Sequence, residues 1–115
     1  MAIDFACKTF ELDDIIKCGL GLTRSEFKVM KFLIQEHLEI NSHEIANKLK
    51  LDLSTAQRAL KKLVEHNVII RGQRNLVGGG YVYVYKSSPK TQIRKIILKI
   101  IKNWNKKVEN KLERW

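Results

Sequence analysis

Apolar side chains recur along this chain at helical spacing first, then at strand spacing, then at helical spacing again. Between Phe5 and Cys18, Phe10, Leu12, Ile15 and Ile16 stand among acidic residues, and Gly19 and Gly21 follow, which predicts a first helix ending at the glycines. Thr23-Arg24-Ser25-Glu26 reads as a capping box in front of Phe27, Met30, Phe32, Leu33 and Ile34, the apolar face of a second helix. Asn41 or Ser42 can cap a short third helix carrying Ile45, Ala46 and Leu49. After the turn Lys50-Leu51-Asp52-Leu53, Ser54 offers the N-cap of a fourth helix running to about His66, with Ala56, Leu60, Leu63 and Val64 on one face. Asn67 suits the left-handed conformation that would end it.

The spacing then changes. Val68-Ile69-Ile70 and Tyr81-Val82-Tyr83-Val84-Tyr85 are β-branched and aromatic, and the polar, glycine-containing stretch 71–80 between them predicts a hairpin with a flexible tip. Pro89 stops the second strand. From Lys90 to Trp115, Ile93, Ile97, Ile100, Trp104, Val108 and Leu112 mark one long amphipathic helix. The expected fold class is mostly α with a small β-hairpin, and the order helix, short helix, tight turn, helix, hairpin is that of a winged helix-turn-helix. At 115 residues the chain accommodates one core. Its stretches are an N-terminal helix at 1–20 that joins a dimer contact, a winged helix-turn-helix at 21–88, and a dimerisation helix at 89–115.

Charge adds a partner class. The formal net charge is +10, and a basic domain of this size suits a polyanion, nucleic acid above all. The excess is uneven: residues 1–50 hold seven basic against eight acidic side chains, 51–85 five against two, and 86–115 ten against two. The tail lysines Lys95, Lys99, Lys102, Lys106 and Lys107 therefore read first as the wet face of an amphipathic helix, and only second as phosphate ligands. No run approaches the roughly 20 apolar residues of a membrane span, and no signal peptide is expected, so a cytoplasmic protein with no membrane partner is anticipated.

With Ala56, Ala59, Leu60 and Leu63 inward, Thr55, Gln57, Arg58, Lys61 and Lys62 should project from the fourth helix. These are chemistries that read DNA: Gln57 pairs with adenine and Arg58 with guanine, Ser54 and Thr55 with the helix N-terminus hold phosphate, and Lys61 and Lys62 add positioning charge. In the hairpin, Arg71, Gln73, Arg74 and Asn75 with three glycines suit a wing on the flanking backbone or minor groove. The plain alternatives are a solvated helix face and a flexible loop. Gly78-Gly79-Gly80 leads into a strand and lacks the Gly-Lys-Ser/Thr ending of a phosphate loop, so nucleotide binding is not expected.

Residues 21 to 86 resemble the MarR/TrmB-like winged-helix regulators, chiefly in Leu51-Asp52-Leu53-Ser54-Thr55-Ala56-Gln57-Arg58-Ala59-Leu60-Lys61-Lys62-Leu63 followed by Asn67-Val68-Ile69. Asn67 stands where many relatives have glycine. The resemblance implies a sequence-specific, double-stranded DNA-binding transcriptional regulator, with helix 54–66 in the major groove. The small size is similar to archaeal stand-alone regulators without the sugar-binding domain of long TrmB proteins, so a sugar effector is not implied.

The terminal helix carries Ile93, Ile96, Ile97, Ile100 and Ile101, then Trp104, Val108 and Leu112, more than one domain face is expected to cover. Pairing with a second copy would give a two-fold homodimer with recognition helices about 34 Å apart, the alternative being a helix folded back on its own domain. A cavity between the dimer helices and the wing domain could take a small-molecule effector, which no residue pattern here identifies. Cys7 and Cys18, eleven residues apart on one presumed helix, would share a face but lie too far apart to bond, and buried thiols are the expected state. His37, His43 and His66 do not join them at a zinc spacing, so neither a metal nor a cofactor is expected. No catalytic constellation emerges and an enzyme is not anticipated. A protein-interaction module of transcription machinery and a nonspecific chromatin-type protein remain as alternatives.

Overall fold

A computed structural model describes all 115 residues. It begins with a two-stranded hairpin, β1 (Ala2–Phe5) and β2 (Lys8–Glu11), followed by α1 (Leu12–Leu20) and α2 (Arg24–Glu36). A two-residue strand β3 (Ile40–Asn41) leads into α3 (Ser42–Leu49) and α4 (Leu53–Glu65), then β4 (Ile69–Asn75), β5 (Tyr81–Ser87) and α5 (Lys90–Glu113). The sheet order is β3-β5-β4, antiparallel throughout, with Ile40 opposite Tyr85 and Arg71 opposite Tyr85 from the other side. This is a winged helix: α2, α3 and α4 on a three-stranded sheet whose last two strands form the wing.

The N-terminal segment departs from the single helix anticipated over 5–18. Ile3 and Phe5 alternate with polar residues, and Ile3 pairs with Phe10 across β1 and β2, so the period of two prevails and α1 starts only at Leu12. Gly21 ends α1 with φ 65, a left-handed conformation that favours glycine, whereas Gly19 lies within the helix. Cys7 therefore sits in the hairpin turn and Cys18 on α1. They do not share a helix, and both are exposed rather than buried.

The α2 cap falls where the sequence puts it, the α3 cap on the first of its two candidates, and the α4 cap two residues earlier than expected. Thr23 and Glu26 form the full capping box of α2, with Glu26 N–H donating to Thr23 Oγ1 at 3.2 Å and Thr23 N–H to Glu26 Oε1 at 2.7 Å. Asn41 caps α3, accepting from Glu44 N–H at 2.9 Å. The N-cap of α4 is Asp52 instead of Ser54, because Leu53 already has helical backbone, and Ser54 lies within the first turn. Asn67, at φ 62, closes the far end. Its carbonyl accepts from the buried Ser88 hydroxyl at 2.9 Å and from Gln92 Nε2 at 3.2 Å, tying the end of α4 to β5 and α5.

The core is built on the inner stripe of α4. Ala59, Leu60 and Leu63 join Val29, Met30 and Leu33 of α2, Ile45 of α3, and Val68 and Ile69 at the entry to the sheet. The first half of α5 belongs to this core. Ile93 is buried, and Ile96, Ile97 and Ile100 pack against the cluster, so these four cover their own domain instead of waiting for a partner as the sequence suggested. Beyond them α5 projects, stretching the molecule to 65 × 24 × 23 Å.

Polar ties fix the helices relative to one another. Lys28 Nζ on α2 donates to the Leu49 carbonyl at the end of α3, 3.3 Å away. Lys62 Nζ on α4 donates to the Gly21 carbonyl and to Glu26 Oε1, the latter at 3.0 Å. Partial burial alone would raise the Glu26 carboxyl. The Thr23 backbone N–H, the Lys62 bond and charge, and the Thr23 hydroxyl together outweigh it and hold the group below its ordinary 4.5.

Two stability outcomes follow. Leu60→Ala should cost about 2–5 kcal/mol in chemical denaturation, the scale of a cavity left in a packed core. Because Glu26 titrates lower in the folded chain, its contribution is complete above pH 4.5 and is lost as pH falls through the depressed folded value. Glu26→Gln should therefore flatten the acid limb of a stability-versus-pH curve below that point, and an unchanged limb would remove Glu26 from the account.

Candidate nucleic-acid interface

Burying Ala56, Ala59, Leu60 and Leu63 fixes the rotation of α4, and the opposite side follows from helical geometry. Ser54, Gln57, Arg58 and Lys61 are exposed, and Thr55 is half-buried at their edge. No acidic side chain lies in the first turn of α4. Asp52 makes no side-chain cap bond, so the first N–H groups of the helix have no side-chain partner. That end can accept an anion, against the opposing charge of the Asp52 carboxylate at the N-cap.

Lys62 does not stand in this row. Its side chain turns along the flank of α4 toward α2 and is occupied by Glu26 and Gly21, leaving it 35% exposed. The sequence placed it among the projecting residues because a lysine at that helical position clears the apolar stripe. Its partners come from residues 36 and 41 positions away in the chain, and no local pattern announces them.

The wing is more ordered than the flexible 71–80 tip anticipated from its composition. Strand pairing runs out to Asn75 opposite Tyr81, so only Leu76–Gly80 form the turn, closed by Leu76 N–H donating to the Gly80 carbonyl at 3.0 Å. Gly78, Gly79 and Gly80 all have positive φ there, at 91, 108 and 80°, which side-chain-bearing residues rarely adopt. Residues paired across a ladder share a face. Arg71, Gln73 and Asn75 accordingly stand with Tyr85, Tyr83 and Tyr81, while Arg74 stands with Val82 on the other face.

This pairing supplies contacts the sequence reading lacked. The Arg71 guanidinium lies over the Tyr83 ring, 4.4 Å from its centroid, and Tyr81 meets Tyr83 edge to face at 5.4 Å. Burial pushes the Tyr85 hydroxyl above its ordinary 10.0, against the pull of Arg71, so it stays a neutral donor. Stacking on Tyr83 restricts the Arg71 guanidinium. The alternation of Tyr81, Tyr83 and Tyr85 was legible, and the register that sets Arg71 among them was not.

Of the residues anticipated as dimer contacts beyond the core, Ile101 is 42%, Trp104 63% and Leu112 58% exposed, and Val108 is half-buried. Trp104, Val108, Leu112 and Trp115 form an open apolar face, edged by Lys107 and Lys111, along the projecting half of α5. Ile3, Phe5 and Phe10 add a second exposed apolar face on the N-terminal hairpin. No group of three or more His, Cys, Asp or Glu side chains is placed to hold a metal ion, and no helix is long and apolar enough to cross a membrane.

Known proteins are similar to this chain over most of its length. A solved structure described as a possible transcriptional regulator from Methanosarcina mazei Go1 superposes with a TM-score of 0.92 at 46% identity, covering 100% of this chain and 97% of that one. An uncharacterized protein of Methanocaldococcus jannaschii is 33% identical over 109 residues, 95% of this chain and 79% of that protein. A MarR protein from Peptoclostridium difficile shares the fold at 22% identity, with a TM-score of 0.57 over 90% of this chain and 65% of that one. The family described as the DnaD N-terminal domain matches residues 9–109, and this winged-helix chain belongs to that family.

Proposed function

We propose that this protein is a DNA-binding transcriptional regulator that reads a specific duplex sequence as a homodimer. The observation that carries the reading is the exposed row Gln57, Arg58 and Lys61 on a helix whose rotation is fixed by a buried stripe, flanked by a basic, aromatic-backed wing. In the major groove Arg58 offers a bidentate donor pair to guanine and Gln57 a donor and acceptor to adenine. Ser54, Thr55 and the open N-terminus of α4 hold a phosphate, and Lys61 contributes positioning charge. Arg71, Gln73 and Asn75 from one wing face and Arg74 from the other reach the flanking backbone or minor groove.

Two magnitudes support a second copy. The chain exposes 8794 Å², where a compact monomer of this size exposes about 6,500 Å². Its radius of gyration is 17.2 Å against about 13 Å for a compact domain of this length. Exposed apolar side chains contribute to that surplus on the projecting half of α5, at Trp104 and Leu112, and on the N-terminal hairpin, at Phe5 and Ile3. An interface that removed it would fall in the obligate range of about 2,000–5,000 Å² in total. A two-fold pairing through these surfaces presents two recognition helices to one face of the duplex.

Selection from a random duplex pool, followed by titration at two salt concentrations, tests the reading. A palindromic site is expected, with Arg58→Ala losing about 1–3 kcal/mol at defined base positions. Equal weakening on every sequence would favour a nonspecific chromatin-type protein, and retention of no duplex at all a protein-interaction module. For the assembly, Trp104→Glu is expected to convert a dimeric sedimentation profile to a monomeric one while leaving the helical circular dichroism of the domain in place. A monomeric wild type would end the dimer proposal.

A further inference from the structure

Lys62 lies on the recognition helix, one turn beyond Arg58, yet its ammonium is spent inside the protein. It bonds the carbonyl of Gly21, the left-handed residue where α1 gives way to α2, and Oε1 of Glu26 at 3.0 Å. The same Oε1 accepts the Thr23 N–H that starts α2. One lysine thus joins α4 to the α1–α2 corner, and α1 in turn packs on α5, with Gly19 beside Ile100. Glu26 is 16% exposed and Lys62 35%, so the pair is partly shielded from solvent and salt.

We infer that Lys62 is a positioning residue that sets the angle of the recognition helix against the α1/α5 pair, and is not itself a phosphate ligand. This inference rests on the DNA-binding reading above. The geometry has a consequence for specificity. In a two-fold assembly, the separation and tilt of the two recognition helices decide which half-site spacing fits. A tie between α4 and the corner that leans on α5 passes the dimer's geometry to the DNA-facing row. The buried stripe fixes the rotation of α4 about its own axis, and the Asn67 carbonyl ties its far end to Ser88 and Gln92, so the two Lys62 bonds are the polar contacts that hold its inclination against the α1–α2 corner.

The two roles for Lys62 predict opposite results. A phosphate ligand removed by Lys62→Met would lower the slope of log affinity against log salt by about 0.9 and weaken every sequence equally, as expected for Lys61→Met. A positioning residue would leave that slope at the wild-type value. Affinity for the selected site would then fall roughly three- to tenfold, the scale of coupling through a contact network, and tolerance of altered half-site spacing would widen. Glu26→Gln keeps an oxygen for the Thr23 cap but removes the charge partner. With Oε1 and the Gly21 carbonyl still able to accept from Lys62, it should shift affinity and spacing tolerance in the same direction as Lys62→Met but by less if Lys62 positions the helix, and should hold or strengthen DNA binding if the weakened pair frees Lys62 for phosphate.

Amide hydrogen exchange in the free protein separates failure of this inference from failure of the functional reading. Lys62→Met should accelerate exchange at residues 62–66 and 21–23 while the amides of α3 keep their protection. Unchanged exchange, or a salt slope reduced as in Lys61→Met, overturns the inference. A wild type that selects no duplex overturns the DNA-binding reading and the readout role of Lys62 with it, while the exchange result still reports whether the tie holds the two helices.

Discussion

Burial of one face of α4 is the constraint on which the remaining arrangement depends. Ala56, Ala59, Leu60 and Leu63 are almost wholly removed from solvent, and each withdraws apolar surface from water only if the helix keeps a single rotation about its axis. That rotation places Gln57, Arg58 and Lys61 outward as a set. The two alanines matter as much as the leucines, because their small side chains let α4 lie close to its neighbours. The outward polar row is thus a by-product of packing on the other side, and a substitution that disturbed the packing would misdirect the row without touching it.

Around this helix the chain uses polar contacts sparingly and at junctions. Asn67 adopts a left-handed conformation and gathers Ser88 and Gln92 onto its carbonyl, so the end of α4, the last residues of the wing and the start of α5 meet at one residue. Lys28 satisfies the last carbonyl region of α3, and Lys62 the corner between α1 and α2. Each tie answers a backbone group that a helix end leaves unpaired. Basic side chains spent in this way do not contribute to an outward-facing patch, which is why a net charge of +10 overstates the charge available to a polyanion.

The wing and α5 show the same economy on a larger scale. Arg71 is held over Tyr83 by strand register, so a side chain that composition alone would leave as a solvated arginine is partly ordered. In α5 the helical period is continuous from Ile93 to Leu112, but its environment changes midway. Ile93, Ile96, Ile97 and Ile100 complete the domain's own core, and Trp104 and Leu112 lie beyond the last element that could cover them.

The sequence by itself determined the elements whose signals are local: the capping box of α2, an N-cap of α3 at Asn41 or Ser42, the inner stripe of α4, the left-handed Asn67, the two strand-forming runs of the wing and the long terminal helix. Each depends on residues within four positions of one another, where helical and strand periodicity are direct consequences of backbone geometry. Tertiary structure alone decided the rest. Lys62 met Glu26 and Gly21 across α2, Arg71 met Tyr83 across a ladder, β3 joined the sheet through two residues, and the first half of α5 was claimed by the core. The N-terminal hairpin belongs to this second group, since a period of two over so short a stretch, beside a helical one, does not settle which pattern prevails until Ile3 finds Phe10 across the turn. Contacts between residues far apart in the chain depend on where each element ends and how it is rotated, and those are properties of the packed whole.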